Sequence, residues 1–347
     1  MLYGLWIISL LLAAISLLVM TGLVAARMFR ANRQERRELA RKRLLPAFLA
    51  FTEDGDQEAF LSKAATVPMS TTVDLSLEFL NLMRGDEHAN LVNVLTRAGV
   101  ARELVFRTAR GNRTSRIHAV EALPFFPGPE TTVSLRNALK DRSADVRLSA
   151  AIGLVAGGSN VPLAELLEQL GTGDLASRRL VGLFRHLPAE RLDELREILK
   201  SGETPSIVRA AAIEALGTSG DYSLLPLFAA CIADGEPEVS AAAIHAIGEL
   251  AHPAGATAIE RALTNADWQV RAEAATAVAR IGLDRASGQL SELLEDDQWL
   301  VRYAASKALF DLGADGRTVL VDIAKGGRPR SQRAAALLLA EEGYEAQ

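Results

Sequence analysis

One cysteine, Cys231, occurs among 347 residues, so no intramolecular disulfide can form and zinc sites built on cysteine pairs are excluded. It lies in the apolar stretch "LLPLFAACIAD", where a small buried hydrophobe is expected rather than a reactive thiol. Aromatic residues are scarce, at 5%, and long β-branched runs are missing beside abundant Ala and Leu. This composition argues against a sandwich or barrel and for closely packed helices. The five histidines include no i,i+4 pair of the kind a helical zinc site needs. The sequence also lacks a Walker-A loop, a dinucleotide fingerprint and a nucleophile elbow. A non-enzyme without cofactor or metal is therefore expected.

Charge is unevenly spread. Residues 1–43 hold eight basic and two acidic groups, a net of +6, which leaves 30 basic and 41 acidic groups in 44–347, a net of −11. An acidic body argues against a nucleic-acid partner, because phosphate binding depends on Lys and Arg releasing counterions. Residues 2–26 contain no charge, with Tyr3 and Trp6 near one end and the arginines beginning at the other. That pattern predicts one transmembrane helix. The charge asymmetry predicts a single-pass inner (plasma) membrane protein of bacterial type, its N-terminus outside and its bulk in the cytoplasm. The expected organisation is an anchor over 1–27, a basic juxtamembrane helix or linker over 28–44, divergent capping repeats over 45–111 and a repeat array over 112–347.

The array shows itself as a period of 31. Stepping from Arg271 reaches 116, 147, 178, 209, 240, 302 and 333, all Arg except Ser240. Three residues further on, the series is Ala119, Ala150, Val181, Ala212, Ala243, Ala274, Ala305 and Ala336. Val270 and Val301 precede the Arg, and Leu216, Ile247, Val278 and Leu309 follow it by seven. At 100° per residue these offsets share one face, the core stripe of an amphipathic helix. Glycines at 158, 220, 282 and 313, eleven after the Arg position, stop the helix. An earlier helix, marked by Leu166, Phe228, Ile259 and Leu290, completes each repeat. Neither helix can bury its stripe alone, so neighbouring pairs must stack. The predicted fold is all-α, a right-handed α-solenoid of stacked helical hairpins preceded by the transmembrane helix.

Asp141, Asp234 and Asp296 lie six before the Arg position, giving D-x-x-x-x-V-R-x-x-A-A-x-A-L-G. This resembles the HEAT repeat, in the short form also called the phycobilisome-lyase-type repeat. The resemblance implies a structural ladder of hydrogen bonds between successive repeats, made here by Asp141, Arg147, Arg209, Asp234, Arg271, Asp296 and Arg302. It also implies that the second helices line a partner-binding concave face. Ser240 interrupts the ladder, and around Arg178 the apolar face shifts to Leu180, Leu183, Phe184 and Leu187. The di-iron hydroxylases of this repeat type need adjacent His-Glu pairs, and the sequence has none.

What remains is surface. Second-helix positions opposite the core stripe hold Glu121, Glu214, Glu238, His245, Glu249, Glu273, Thr276, Arg280 and Lys307, interspersed with alanines. A shallow acidic groove of this kind suits a basic peptide or the flank of a folded protein. The expected function is a membrane-anchored cytoplasmic scaffold or adaptor for a protein partner. The alternative, implied by the resemblance alone, is a lyase or isomerase that handles a chromophore. Trp268 and Trp299, each three before the Arg, are expected to brace adjacent repeats, the alternative being a pair of exposed aromatic anchors for a peptide.

Overall fold

The computed structural model describes residues 16–21, 27–28, 34–36, 38–52, 55–171, 177–233 and 235–344. The chain divides into two compact units, residues 1–138 and 139–347. Helices account for most of the described residues, and none of those residues forms a strand.

In the N-terminal unit, α1 (38–52), α2 (Gln57–Ala64), α3 (Met69–Leu82), α4 (Gly85–Arg97), α5 (Val100–Arg110), α6 (Arg113–Ala122) and α7 (Pro129–Ala138) pack with their near neighbours in sequence. Aromatics concentrate here: Phe48 meets Phe60 edge to face at 4.8 Å and stacks on Phe79 at 4.6 Å. Buried Leu91, Leu95 and Leu104 extend that core.

The C-terminal unit alternates two rows. The second helices are α8 (Ala144–Ala156), α10 (Ser177–Arg185), α12 (Ser206–Gly217), α14 (Pro237–Leu250), α16 (Trp268–Ile281), α18 (Trp299–Asp311) and α20 (Pro329–Glu341). Each packs on the next in sequence order. The first helices are α9 (Leu163–Leu170), α11 (Leu192–Lys200), α13 (Leu225–Ala233), α15 (Ala256–Ala262), α17 (Ser287–Leu293) and α19 (Ala314–Gly326). From α11 onwards each lies against the second helix that follows it. The C-terminal unit is thus a stack of helical hairpins that fits a solenoid.

Local chemistry sets each repeat. In α16, Asp267 caps the start by accepting from the amide of Gln269 at 2.8 Å, and Val270, Ala274, Ala277 and Val278 turn inward. Gly282 ends the helix with φ +73°, its amide and that of Leu283 both donating to the Val278 carbonyl at 3.0 Å. A left-handed residue is cheap there only because glycine has no Cβ. The equivalent position after α14 is Ala251, at φ +49°. Alanine at the stripe's centre lets the rows approach: Ala212, Ala243, Ala274 and Ala305 are all fully buried. In α10 the shifted apolar face buries Leu180, Leu183 and Phe184, while the side chain of Arg178 lies outside the described residues.

One expectation is corrected. Among the described residues no helix is long and apolar enough to cross a membrane. Of residues 2–26 only 16–21 are described, six helical residues that rise about 9 Å against a hydrocarbon core of about 30 Å. The transmembrane anchor and the single-pass inner-membrane placement that rested on it are therefore withdrawn; the rest of that segment lies outside the described residues.

Candidate functional site

The ladder positions meet in a repeated turn chemistry. Asp141 and Asp296 each accept, through Oδ1, the amide two residues on, at 2.8 and 2.9 Å, and Asn265 does the same at 2.8 Å. The arginine six residues later then donates to the carbonyl of that same residue: Arg147 to Asp141 at 2.9 Å, Arg271 to Asn265 at 2.8 Å and Arg302 to Asp296 at 2.7 Å. Carbonyls of the turn between the two helices of a repeat are satisfied in this way. Contacts to the following repeat differ from one position to the next. Arg271 forms a two-pronged pair with Asp296, at 2.7 and 3.0 Å, whereas Arg147 donates to the Leu170 carbonyl at 2.7 Å. Ser240, at the interrupted rung, is buried and donates to the Ile232 carbonyl at 3.2 Å. Arg209 is buried, and Asp234 lies outside the described residues.

Burial, the largest influence on Asp296, pushes its carboxyl upward. The hydrogen bond from Arg271, the Gln298 amide and the charges of Arg271 and Arg302 outweigh it, so the pKa falls below the usual carboxylate value.

On the opposite face, α12, α14, α16 and α18 enclose a groove of about 1050 Å³. Its floor is small: Ala210, Gly217, Ala241, Ala246 and Ala272 belong to it. Eight residues expected on this face line it, namely Glu214, Glu238, His245, Glu249, Glu273, Thr276, Arg280 and Lys307. The ninth, Glu121, lies in the N-terminal unit, its carboxylate 3.9 Å from His118. Among the lining residues not singled out from the sequence are Arg185, Leu300 and Tyr303, while Trp268, expected as a brace between repeats, lines the groove as well. The same helical offsets that marked the acids could have found Leu300, two before Arg302, but not Tyr303, one after it.

Charge in the groove is only partly internal. His245 Nδ1 is 3.4 Å from Glu273, and its Nε2 is 3.8 Å from Glu249. Arg280 pairs with Glu249 at 2.8 Å. The hydrogen bond to Glu273, helped by the charges of Glu273 and Glu249, raises the His245 pKa against partial burial and the nearby Arg280. Lys307 is shared by Asp311 at 2.9 Å and Glu342 at 3.0 Å, which raises its pKa as well. Glu214 and Glu238 have no hydrogen-bond or ion-pair partner among the described residues. The α12–α14 side therefore offers two carboxylates without a partner, with Arg185 of α10 as a cation in the lining likewise unpartnered among the described residues, and the starts of α16 and α18 offer Trp268 and Leu300.

The two tryptophans do not pair. Trp299 is 58% exposed, and its ring contact is with Tyr303, one turn along its own helix, at 5.8 Å. Residues four apart share a helix face, and that proximity prevails over the spacing between repeats. Among the described residues no group of three His, Cys, Asp or Glu is placed to hold a metal. Cys231 is buried on α13 and does not line the groove. The lyase-type alternative gains no support from the groove's residues.

No curated protein matches the chain. Among solved structures the chain is similar to Kap121p, at 14% identity and a TM-score of 0.41, covering 81% of this chain and 38% of that one. Kap121p bound to the extreme C-terminus of the protein phosphatase Cdc14p gives 14% identity and 0.41, over 86% and 41%. Human deoxyhypusine hydroxylase gives 16% identity and 0.26, over 72% and 99%. The chain thus spans well under half the length of Kap121p. The family model described as HEAT repeats matches residues 192–268 and 255–341. All four groove helices fall in that matched stretch, which is therefore similar to HEAT repeats in sequence as well as in the stacking of its hairpins.

Proposed function

We propose that the C-terminal unit is a protein-binding scaffold whose groove across α12, α14, α16 and α18 receives a cationic segment of a partner protein. The observation that supports this reading is the pair of carboxylates, Glu214 and Glu238, left without a partner in a groove whose other carboxylates, Glu249, Glu273 and Asp311, are internally paired. A lysine or arginine placed against either carboxylate gains about 1 kcal/mol at 4 Å in water and about 4 kcal/mol at an effective dielectric of 20. Trp268 and Leu300 supply apolar contact on the neighbouring helices, so the preferred segment is basic at one end and carries a large apolar residue at the other. Axes of packed helices stand about 8–10 Å apart, so two helix steps correspond to about six residues of extended chain.

The test uses the full chain and a synthetic lysine-rich peptide bearing one tryptophan, followed by fluorescence anisotropy. Binding should weaken with added salt and fall about tenfold for each of Glu214→Lys and Glu238→Lys. A peptide with glutamate in place of lysine should not bind. Equal binding by both variants and the unmodified chain would remove the groove from the account.

A further inference from the structure

In the C-terminal unit one stripe of α12, α14, α16 and α18 faces the following repeat. At its start, Arg271 pairs with Asp296 of the next repeat. At its end, eight residues on, Gly217 and Gly248 press so closely on the next helix that an added Cβ would stand 2.7 Å from the Ala246 Cβ and 3.1 Å from the Ala277 Cβ. The residue midway, Ile213, Ile244, Ala275 or Ser306, is 0% exposed in all four helices. In α20 the same stripe is Arg333, Leu337 and Glu341, four apart along one face. Leu337 is 62% exposed, and both charged residues are exposed.

The charges on this stripe are opposed to the helix that carries them. Arg333 sits in the N-terminal half of α20 and Glu341 at its C-terminal end, the reverse of what the helix dipole favours. The order suits an antiparallel copy of the same helix. With Leu337 on a two-fold axis, Arg333 of one copy faces Glu341 of the other, twice over, because both residues lie four from the axis. Ala336 and Ala340, small and exposed beside the stripe, permit close approach. Neither charge is used up internally: Arg333 donates only its Nε, to the Pro329 carbonyl at 2.8 Å, and Glu341 accepts through Oε1 from the Tyr303 hydroxyl at 3.3 Å.

We propose that two copies of the chain pair antiparallel through α20, with the two Leu337 side chains meeting at the symmetry axis and flanked by two Arg333–Glu341 ion pairs. The surface is self-complementary, as an isologous interface requires. It lies on α20, outside the groove helices α12 to α18, and meets the groove's lining through the Glu341–Tyr303 hydrogen bond.

Sedimentation velocity of the full chain over a concentration series should show a monomer–dimer equilibrium. Arg333→Glu and Glu341→Arg should each weaken it about tenfold, whereas the double variant, or an equimolar mixture of the two single variants, should restore it. Leu337→Cys should form a symmetric disulfide on mild oxidation, and Gln332→Cys, off the stripe, should not; the native Cys231 is buried and serves as the internal control. Unchanged thermal unfolding in the variants confirms that they fold. A monomer at every concentration, a dimer indifferent to both charge reversals, or equal cross-linking at 332 and 337 would overturn the proposal.

Discussion

Asp296 joins two repeats through one carboxylate. It accepts from an amide of its own turn and takes both prongs of Arg271 from the preceding repeat, with its side chain 7% exposed. Asp296→Asn keeps the turn and loses the charge-assisted pair, so it should cost about 1.5–3 kcal/mol at neutral pH in chemical denaturation. The folded carboxyl has a depressed pKa. Its contribution is therefore present above the unfolded value of about 3.9 and is lost as pH falls through the folded pKa. The wild-type chain should lose stability along that acid limb, and the variant should show a flatter one. His245 behaves oppositely. Its pKa is raised, so its contribution is complete below the ordinary value of 6.5 and is lost as pH rises through the folded pKa. An NMR titration should place its midpoint above 6.5, and Glu273→Gln should lower it. A midpoint that ignores Glu273 would show that the 3.4 Å contact has no electrostatic effect.

At the scale of the element, two positions show how far a local rule extends. Gly217 and Gly248 are helical glycines, a choice that costs helix stability, and both lie against an alanine of the next helix. Gly217→Ala would gain propensity yet force a Cβ to 2.7 Å from the Ala246 Cβ, so overpacking should prevail and destabilise by about 1–3 kcal/mol. Ala251 is the reverse case, an alanine where four other repeats place glycine, held at φ +49°. Ala251→Gly should stabilise by about 1 kcal/mol, because the left-handed backbone costs alanine about that much. Thermal unfolding of the two variants should therefore move in opposite directions. The helices themselves were legible in the sequence, since a stripe repeating every 31 residues marks both rows. The ring pairing of Trp299 was not, because spacing between repeats carries no information about which way a side chain turns within its own helix.

Across the C-terminal unit, each second helix packs mainly on its neighbours in the row and on the first helix before it, so the effect of a mutation should decay with distance along the stack. Arg271→Ala should raise amide exchange in α16, α18 and α14 and leave α8 and α9 unchanged; uniform loss of protection would show a single cooperative body instead. The groove belongs to this scale as well. Eight of its residues could be named in advance because equal offsets on consecutive amphipathic helices fall in line once the hairpins stack. Periodicity thus determined the all-helical class, the stack and the face on which polar side chains gather, for each follows from burying a repeated stripe. Only the tertiary structure decided which charges cancel. It paired Arg280 with Glu249 and His245 with Glu273, and left Glu214 and Glu238 without a partner and Leu337 uncovered. Pairing and coverage depend on distances of a few ångströms between segments about thirty residues apart, and no pattern along one chain records those distances.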